Sequence, residues 1–453
     1  MQSRRTFLHQ LMGAAAVMAL PPHLLAANQT ALPWRNWSGS QICYPNTRSA
    51  PADLSQLQAL LKQSKGVIRP VGSGHSFMPL VPTDDTIVSL SRLSGLIRVD
   101  NVKQQATVWA GTRLGDIGEP LANQGQALLN MPDIDEQSLA GAIATATHGT
   151  GAQLACMSNY VTGLQLVLAN GEVIECDSQK NNDIFNAARV NLGALGIVSQ
   201  VTLQNQARYK LKRETTWLPI EEILQNAESL ADNNRNFEFY FLPFTGMGFI
   251  DVQNITDEDI TSVEKLDQND GAEDLKTARD ILSWSPKLRE LVLGTYMKTL
   301  PKEVNVANSW QNYASERNVR FNEMEYHLPR EHMIQAFREI RHVVESQFPE
   351  VFFPFEVRFI KSDDIWLSPF NGRETCSIAV HRYHKEEYQG MFAAIEPIMQ
   401  KYHGRPHWGK LNTMNAKQFS QHYAHWQDFK DVRQRLDPRG QFLNPYLSSL
   451  FNA

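Results

Sequence analysis

Arg69-Pro70-Val71-Gly72-Ser73-Gly74-His75-Ser76 runs a β-prone stretch into a glycine turn that carries a histidine. Glycines at 72 and 74 leave backbone N–H groups uncovered, the donor array that a pyrophosphate needs. Glycine turns after strands are common, and this one lacks the G-x-G-x-x-G spacing and following helix of a dinucleotide-binding Rossmann unit. A second segment adds weight. From Ser138 to Gly151 the chain reads Ser-Leu-Ala-Gly-Ala-Ile-Ala-Thr-Ala-Thr-His-Gly-Thr-Gly. Tight helix packing explains its alanines and Gly141. It does not explain why Ser138, Thr145, Thr147 and His148 cluster with Gly149 and Gly151. Two such segments in one region point to an extended ligand with phosphates.

A different chemistry sits further along. Glu356 and Arg358 lie two apart on a predicted strand, 355–360, so both side chains leave the same face. Together they form a charged pair able to orient hydroxyl groups, although a surface cross-strand salt bridge has the same spacing. Lys410 follows Trp408-Gly409 and by default is a surface lysine. His381 shares a face with Tyr383 on a predicted strand, 376–383, where it either meets a ligand or packs as an ordinary core or surface histidine.

The elements that must position these groups fall into two regions and a tail. Residues 31–206 alternate short strands with glycine turns, with strands expected at 67–71, 86–90, 106–110 and 195–203. Asn170-Gly171 between 164–168 and 172–176 is a type I′ hairpin signal. Residues 207–404 mix strands such as 237–242 with helix-periodic segments at 331–347 and 386–401, and contain an acidic loop at 257–274. Residues 405–453 read as a return segment. At 453 residues the chain is too long for one core. A net charge of −5 gives no electrostatic case for nucleic acid. Arg4-Arg5, the apolar run 11–20 and Ala26-Ala27 read as a twin-arginine export signal over residues 1–27, with a periplasmic or secreted destination. The run is shorter than the ~20 residues a stable membrane span requires, and an uncleaved anchor is the alternative. The four cysteines, Cys43, Cys156, Cys176 and Cys376, leave all pairings open, and free buried thiols are as compatible with the sequence as disulfides.

Taken together, the two glycine segments resemble the FAD-binding domain shared by vanillyl-alcohol oxidase and para-cresol methylhydroxylase. Within that group the chain is similar to the aldonolactone oxidases and to alditol oxidase. The resemblance rests on an ordered set of motifs, Glu356-Val357-Arg358-Phe359, Asp364-Ile365-Trp366-Leu367-Ser368, His407-Trp408-Gly409-Lys410 and Phe442-Leu443-Asn444-Pro445-Tyr446. It implies an α+β fold, with an FAD domain of the para-cresol methylhydroxylase type, a substrate cap and a tail that completes the flavin site. It implies that Gly72, Ser73, Gly74, His75 and Ser76 wrap the pyrophosphate, with His75 bonded to the flavin ring. Ser138, Ile143, Ala146, Thr147, His148, Gly149, Ile197 and His407 are expected along the cofactor, and no metal is implied. Ser138, Glu356, Arg358 and Lys410 are expected to face the substrate. A cation at Lys410 would stabilise charge that builds on the flavin as hydride arrives.

The implied activity is oxidation of a CH–OH group in an aldonolactone of the D-arabinono- or L-gulono-1,4-lactone type, with a free alditol as the second candidate. Electrons would pass to dioxygen or to a respiratory or dye-like acceptor. Pro132-Asp133-Ile134 stands where many lactone oxidases carry Gly-Ser-Ile, a neighbourhood tied in that family to oxygen access. The choice between oxidase and dehydrogenase therefore stays open, with oxidase favoured. A non-catalytic exported binding protein on the same fold is a rival of another class. The joint presence of His75, Glu356, Arg358 and Lys410 argues against it.

Overall fold

A computed structural model describes residues 32–262, 266–267, 269–282, 284–316 and 319–452. The expected export signal, residues 1–27, lies outside the described residues. Strands β1 (Thr47–Ser49), β2 (Ile68–Val71) and β3 (Thr86–Ser89) form a parallel sheet in the order β1-β3-β2. A parallel pair needs a crossover, and helix α1 (Leu54–Gln63) supplies it between β1 and β2. Asp53 caps α1 by accepting from Gln56 N at 2.8 Å, and Leu57 and Leu61 bury its inner face. Antiparallel strands follow, β4 (Leu96–Asp100), β5 (Gln105–Trp109), β6 (Gln126–Leu128), β7 (Val161–Val167), β8 (Val173–Asp177) and β9 (Ile197–Ala207). They order as β8-β7-β9-β5-β4, with β6 pairing β9. Helix α2 (Leu139–Ala144) lies between β6 and β7. Asn170-Gly171 does turn the β7–β8 hairpin, but only Gly171 of the two takes a positive φ, +77°, so the turn is not type I′. Asn170 instead accepts Glu172 N through its side chain at 2.9 Å.

The second region is one antiparallel sheet. Its strands are β10 (Lys210–Pro219), β11 (Asn236–Leu242), β12 (Met247–Thr256), β13 (Glu303–Asn308), β14 (Phe321–Pro329), β15 (Phe355–Ile360), β16 (Thr375–Tyr383) and β17 (Arg405–Pro406), ordered β13-β10-β12-β11-β15-β16-β14-β17. Helices α3 (Ile220–Asn233), α4 (Met333–Gln347) and α5 (Gln389–Lys401) accompany it. Phe337 of α4 meets Phe239, Phe241 and Phe355 with ring centroids 5.7, 5.5 and 6.5 Å apart. Tyr326 of β14 donates to Glu396 of α5 at 2.5 Å. Side chains alternate along a strand. Once the aromatic residues of β11 and β15 face the helices, Glu238, Tyr240, Glu356 and Arg358 leave by the opposite face.

Two expectations shift here. Part of the acidic stretch 257–274 is helical, because helix Asn269–Leu282 begins inside it and carries an i,i+4 pair, Lys276–Asp280, at 2.8 Å. The boundary drawn at 404 falls just ahead of β17, so the tail starts as a strand of the large sheet. From there it runs on beside β14, with His407 N and Leu411 N bonded to Glu325 O and Glu323 O at 3.0 and 2.9 Å. The tail then returns to the first region. Ile68 N donates to Gln441 O at 2.7 Å, and Asn444 Nδ2 donates to Pro79 O and Pro82 O at 2.8 and 3.0 Å. All four cysteines are buried and free. No described helix is long and apolar enough to cross a membrane.

Candidate active site

The glycine loop leaves β2 under tight constraint. A side chain at position 72 would run into Ser138 Oγ, and Gly74 adopts φ +73°. Glycine is the residue that meets both demands without strain. Trp37 N donates to Gly74 O at 2.8 Å, Asn36 Nδ2 donates to Ser76 O at 3.0 Å, and the Trp37 ring stacks on His75 at 5.4 Å. The Ser73 hydroxyl bonds Glu136 O. Ser138 is the N-cap of α2, and Thr147 donates to Gln137 Oε1 at 2.9 Å. These segments line a cleft of about 730 Å³ that extends from the loop to the polar face of the large sheet.

The structure gathers most of the expected residues on this cleft. Gly72, Ser73, Gly74, His75, Ser76, Ser138, Thr147, His148, Ile197 and His407 line it, as do Glu356, Arg358 and Lys410. Ile143, Ala146 and Gly149 do not. Ile143 and Ala146 are buried in the core, Ala146 with a left-handed φ of +58°, and Gly149 lies against the Met131 backbone. They shape the wall from behind. Pro132 also borders the space.

At the far end, β14, β15 and β16 present one buried polar surface. Pairing sets Glu325 and Glu356 both opposite Ala379, Glu323 opposite His381, and Ser377 opposite both His327 and Arg358. Arg358 Nη2 lies 2.9 Å from Glu325 Oε1 and 3.4 Å from Glu356 Oε2. Tyr240 donates to Glu356 Oε1 at 2.7 Å and is 3.2 Å from Glu238 Oε1. Lys410 Nζ bonds Glu323, which also has His381 Nε2 at 3.6 Å. Lys410 reaches this place because its turn docks on the glycine loop, with Phe77 N donating to Gly409 O at 2.6 Å.

The chain matches the D-arabinono-1,4-lactone oxidase family over residues 201–450 and the FAD-binding domain family over residues 46–177. It is 36 % identical to an L-gulono-1,4-lactone dehydrogenase of Mycobacterium tuberculosis, covering 91 % of this chain and 97 % of that protein. The chain belongs to the D-arabinono-1,4-lactone oxidase family. It is 30 % identical to mouse L-gulonolactone oxidase, covering 92 % and 98 % of the two chains. An alditol oxidase of Streptomyces sp. is 25 % identical over 92 % of this chain and 99 % of its own length. A crystal structure of cholesterol oxidase from B. sterolicum superposes with a TM-score of 0.77 at 17 % identity, covering 92 % and 96 % of the two chains, which shows a shared fold. The protein is an FAD-dependent oxidoreductase acting on CH–OH donors. The cleft suits that cofactor, since the glycines at 72 and 74 line it with backbone that no side chain covers, open to phosphate.

Electrostatics divide the polar face. Burial raises the Glu323 carboxyl, but Lys410 and His381 overcome it and hold the group at about 2. Burial likewise opposes ionisation of Glu325, yet Arg358 and His148 keep it well below the usual carboxylate range. Glu238 has Arg358 opposite it on the paired strand, but burial together with Glu356 and Asp251 outweighs that cation and pushes it up to about 8. Burial lowers His75 to about 4, aided by Lys410 and Arg113, and lowers His407 to about 3. Both imidazoles are neutral at pH 7. Glu323, Glu325, Glu238 and Tyr240 were not read from the sequence, although Glu-x-Glu-x-His at 323–327 has the same period-two spacing that marked Glu356 and Arg358.

Glu238 generates a test. The folded state holds a proton at Glu238 up to about pH 8, while the unfolded chain releases it near the ordinary 4.5. Folding stability from this group is therefore complete below pH 4.5 and declines as pH rises through 8. Glu238→Gln should flatten the fall of melting temperature between pH 5 and 8 seen in the wild type (about the span between those two values). Parallel melting curves for the two proteins would show that Glu238 ionises normally.

Proposed function

We propose that the enzyme oxidises a carbinol C–H of an aldonolactone, of the D-arabinono- or L-gulono-1,4-lactone type, with an alditol as the second reading. The observation that carries this is the buried face on which Glu356, Arg358 and Lys410 meet one cleft with the FAD-binding segments. FAD, when bound, supplies the two-electron acceptor for the hydride. The loop from Gly72 to Ser76 and the segment from Ser138 to His148 would hold it, with Ile197 and His407 alongside. Arg358 offers N–H donors in a fixed fork to neighbouring hydroxyls. Glu356 accepts the proton that leaves the carbinol oxygen, while Tyr240 fixes its other oxygen. Lys410 places a cation where negative charge develops. A lactone is neutral and polyhydroxylated, which suits a face of paired charges better than an anion would. Dioxygen or another acceptor takes the electrons away. Family members named both oxidase and dehydrogenase support leaving both routes to assay.

Anaerobic stopped-flow mixing with a panel of lactones and alditols tests the reading, with peroxide and dye assays identifying the acceptor. Lys410→Met should slow flavin reduction by roughly 10²–10³-fold with the flavin spectrum retained. Reduction of Lys410→Met at the wild-type rate would place the active site elsewhere.

We also propose that His75 is the covalent attachment point for FAD. A neutral imidazole within the cofactor loop supports it, since its free nitrogen lone pair can add to the flavin methyl carbon once that carbon has given up a proton, with the two electrons left on the flavin ring and passed on to the enzyme's electron acceptor. Denatured wild type should carry flavin fluorescence on a gel, and His75→Ala should lose it. Release of all flavin by acid precipitation would contradict the linkage. Export by the twin-arginine segment belongs to the same reading, supported by Arg4-Arg5 and the apolar run behind them. Changing both arginines to lysine should strand the precursor in the cytoplasm, and unchanged periplasmic accumulation would refute it.

A further inference from the structure

Arg358 stands between two carboxylates, and the nearer is not the one that meets the substrate in the reading above. Glu325 Oε1 receives Arg358 Nη2 at 2.9 Å, His148 Nε2 at 3.0 Å and the Ser377 hydroxyl. Its carboxyl is 1 % exposed and Arg358 is 9 % exposed, so water does not compete for these bonds. Glu356 lies 3.4 Å from the same guanidinium nitrogen, on the opposite side of Ala379 from Glu325. The three groups that meet Glu325 come from three places in the chain. Arg358 is on β15, Ser377 on β16, and His148 on the segment that lines the cofactor end of the cleft.

We propose that Glu325 is a positioning residue for substrate binding. It draws the Arg358 guanidinium away from Glu356 and ties it, through His148, to the wall that holds the cofactor. The proposal rests on the reading that Arg358 and Glu356 meet the substrate. Without the Glu325 charge, the closest anion to Arg358 is Glu356. The 3.4 Å contact between the two would then tighten into a hydrogen-bonded ion pair, each using on the other the capacity that should serve hydroxyls. His148, Glu325 and His407 also bring ligand atoms within 4.8 Å of one another. The positive charge at that point is already supplied by Arg358, and of the two imidazoles His148 is the one bonded to the carboxylate that holds it. Glu325 touches the substrate in no step of this account and acts through Arg358 alone.

A double-mutant cycle on the FAD-loaded enzyme separates this role from a structural one. The saturation of anaerobic flavin reduction by lactone gives a Kd and a limiting rate for wild type, Glu325→Gln, Arg358→Ala and the double variant. Glu325→Gln should raise Kd about 10–100-fold, the range of losing a hydrogen bond to a charged group, with a smaller change in limiting rate. In the Arg358→Ala background the same change should alter Kd less than about 3-fold. If the two effects multiply, Glu325 does not work through Arg358 and the proposal falls. If Arg358→Ala binds lactone as the wild type does, the active-site reading fails first and takes this inference with it. Ser377→Ala, which removes one donor from the same oxygen, carries the identical comparison where Glu325→Gln does not accumulate as holoenzyme. It should raise Kd in the wild-type background and leave it unchanged beside Arg358→Ala.

Discussion

Strands β14 and β15 point three glutamates, Glu323, Glu325 and Glu356, at one cleft, with a fourth, Glu238 of β11, buried beside Tyr240, and like charges so placed cannot all ionise without cations among them. Arg358 and Lys410 are the cations that form ion pairs with them. Each selects its carboxylate: Glu325 and Glu323 are held ionised, while Glu238, further from both, keeps its proton. Replacing Arg358 with an apolar residue removes the cation nearest to Glu325, so the carboxyl there would regain its affinity for a proton. The polar face is therefore a consequence of ion pairing. The aromatic face behind it, packed on α4, fixes which side chains are committed to the cleft.

The tail closes the arrangement. Arg69 sits at the start of the cofactor loop and is fully buried, with its guanidinium donating to Leu80 O, Gly193 O and Leu192 O at 2.8, 2.8 and 2.7 Å and also to Phe442 O. Four backbone carbonyls from three separate segments, one of them in the tail, thus converge on one side chain. The same tail carries His407 and Lys410 against the glycine loop, so the flavin end and the substrate end share a single connecting strand. Residues far apart in sequence are held in register by backbone bonds, and the groups that do chemistry inherit that rigidity.

Much of this was legible in the chain. The glycine loop announces itself through residues that only a crowded backbone would require, and Glu356 with Arg358 through the period of a strand. What was missed follows from non-local pairing. Glu323 and Glu325 have the same spacing, but alternating acids also mark a solvated strand, and only pairing with β16, which in turn carries β15, sets that face beside Arg358. Tyr240 becomes functional because β11 pairs with β15, a contact between residues more than a hundred positions apart. Conversely, motif membership placed Ile143, Ala146 and Gly149 on the cofactor. Ile143 is buried because the short helix α2 turns its apolar side into the core, while Ala146 and Gly149 lie beyond that helix, in a turn with a left-handed residue and against the Met131 backbone, neither of which the small-residue pattern specifies.

The central claim is that the paired charges of this face hold a carbinol C–H for hydride transfer to FAD. Its most direct test is the anaerobic bleaching of the bound flavin by a lactone deuterated at the carbon to be oxidised, compared with the unlabelled compound. The account requires complete bleaching by the unlabelled lactone and a rate several-fold slower for the deuterated one. Absence of bleaching by any lactone, or equal rates for the two isotopologues, would contradict it.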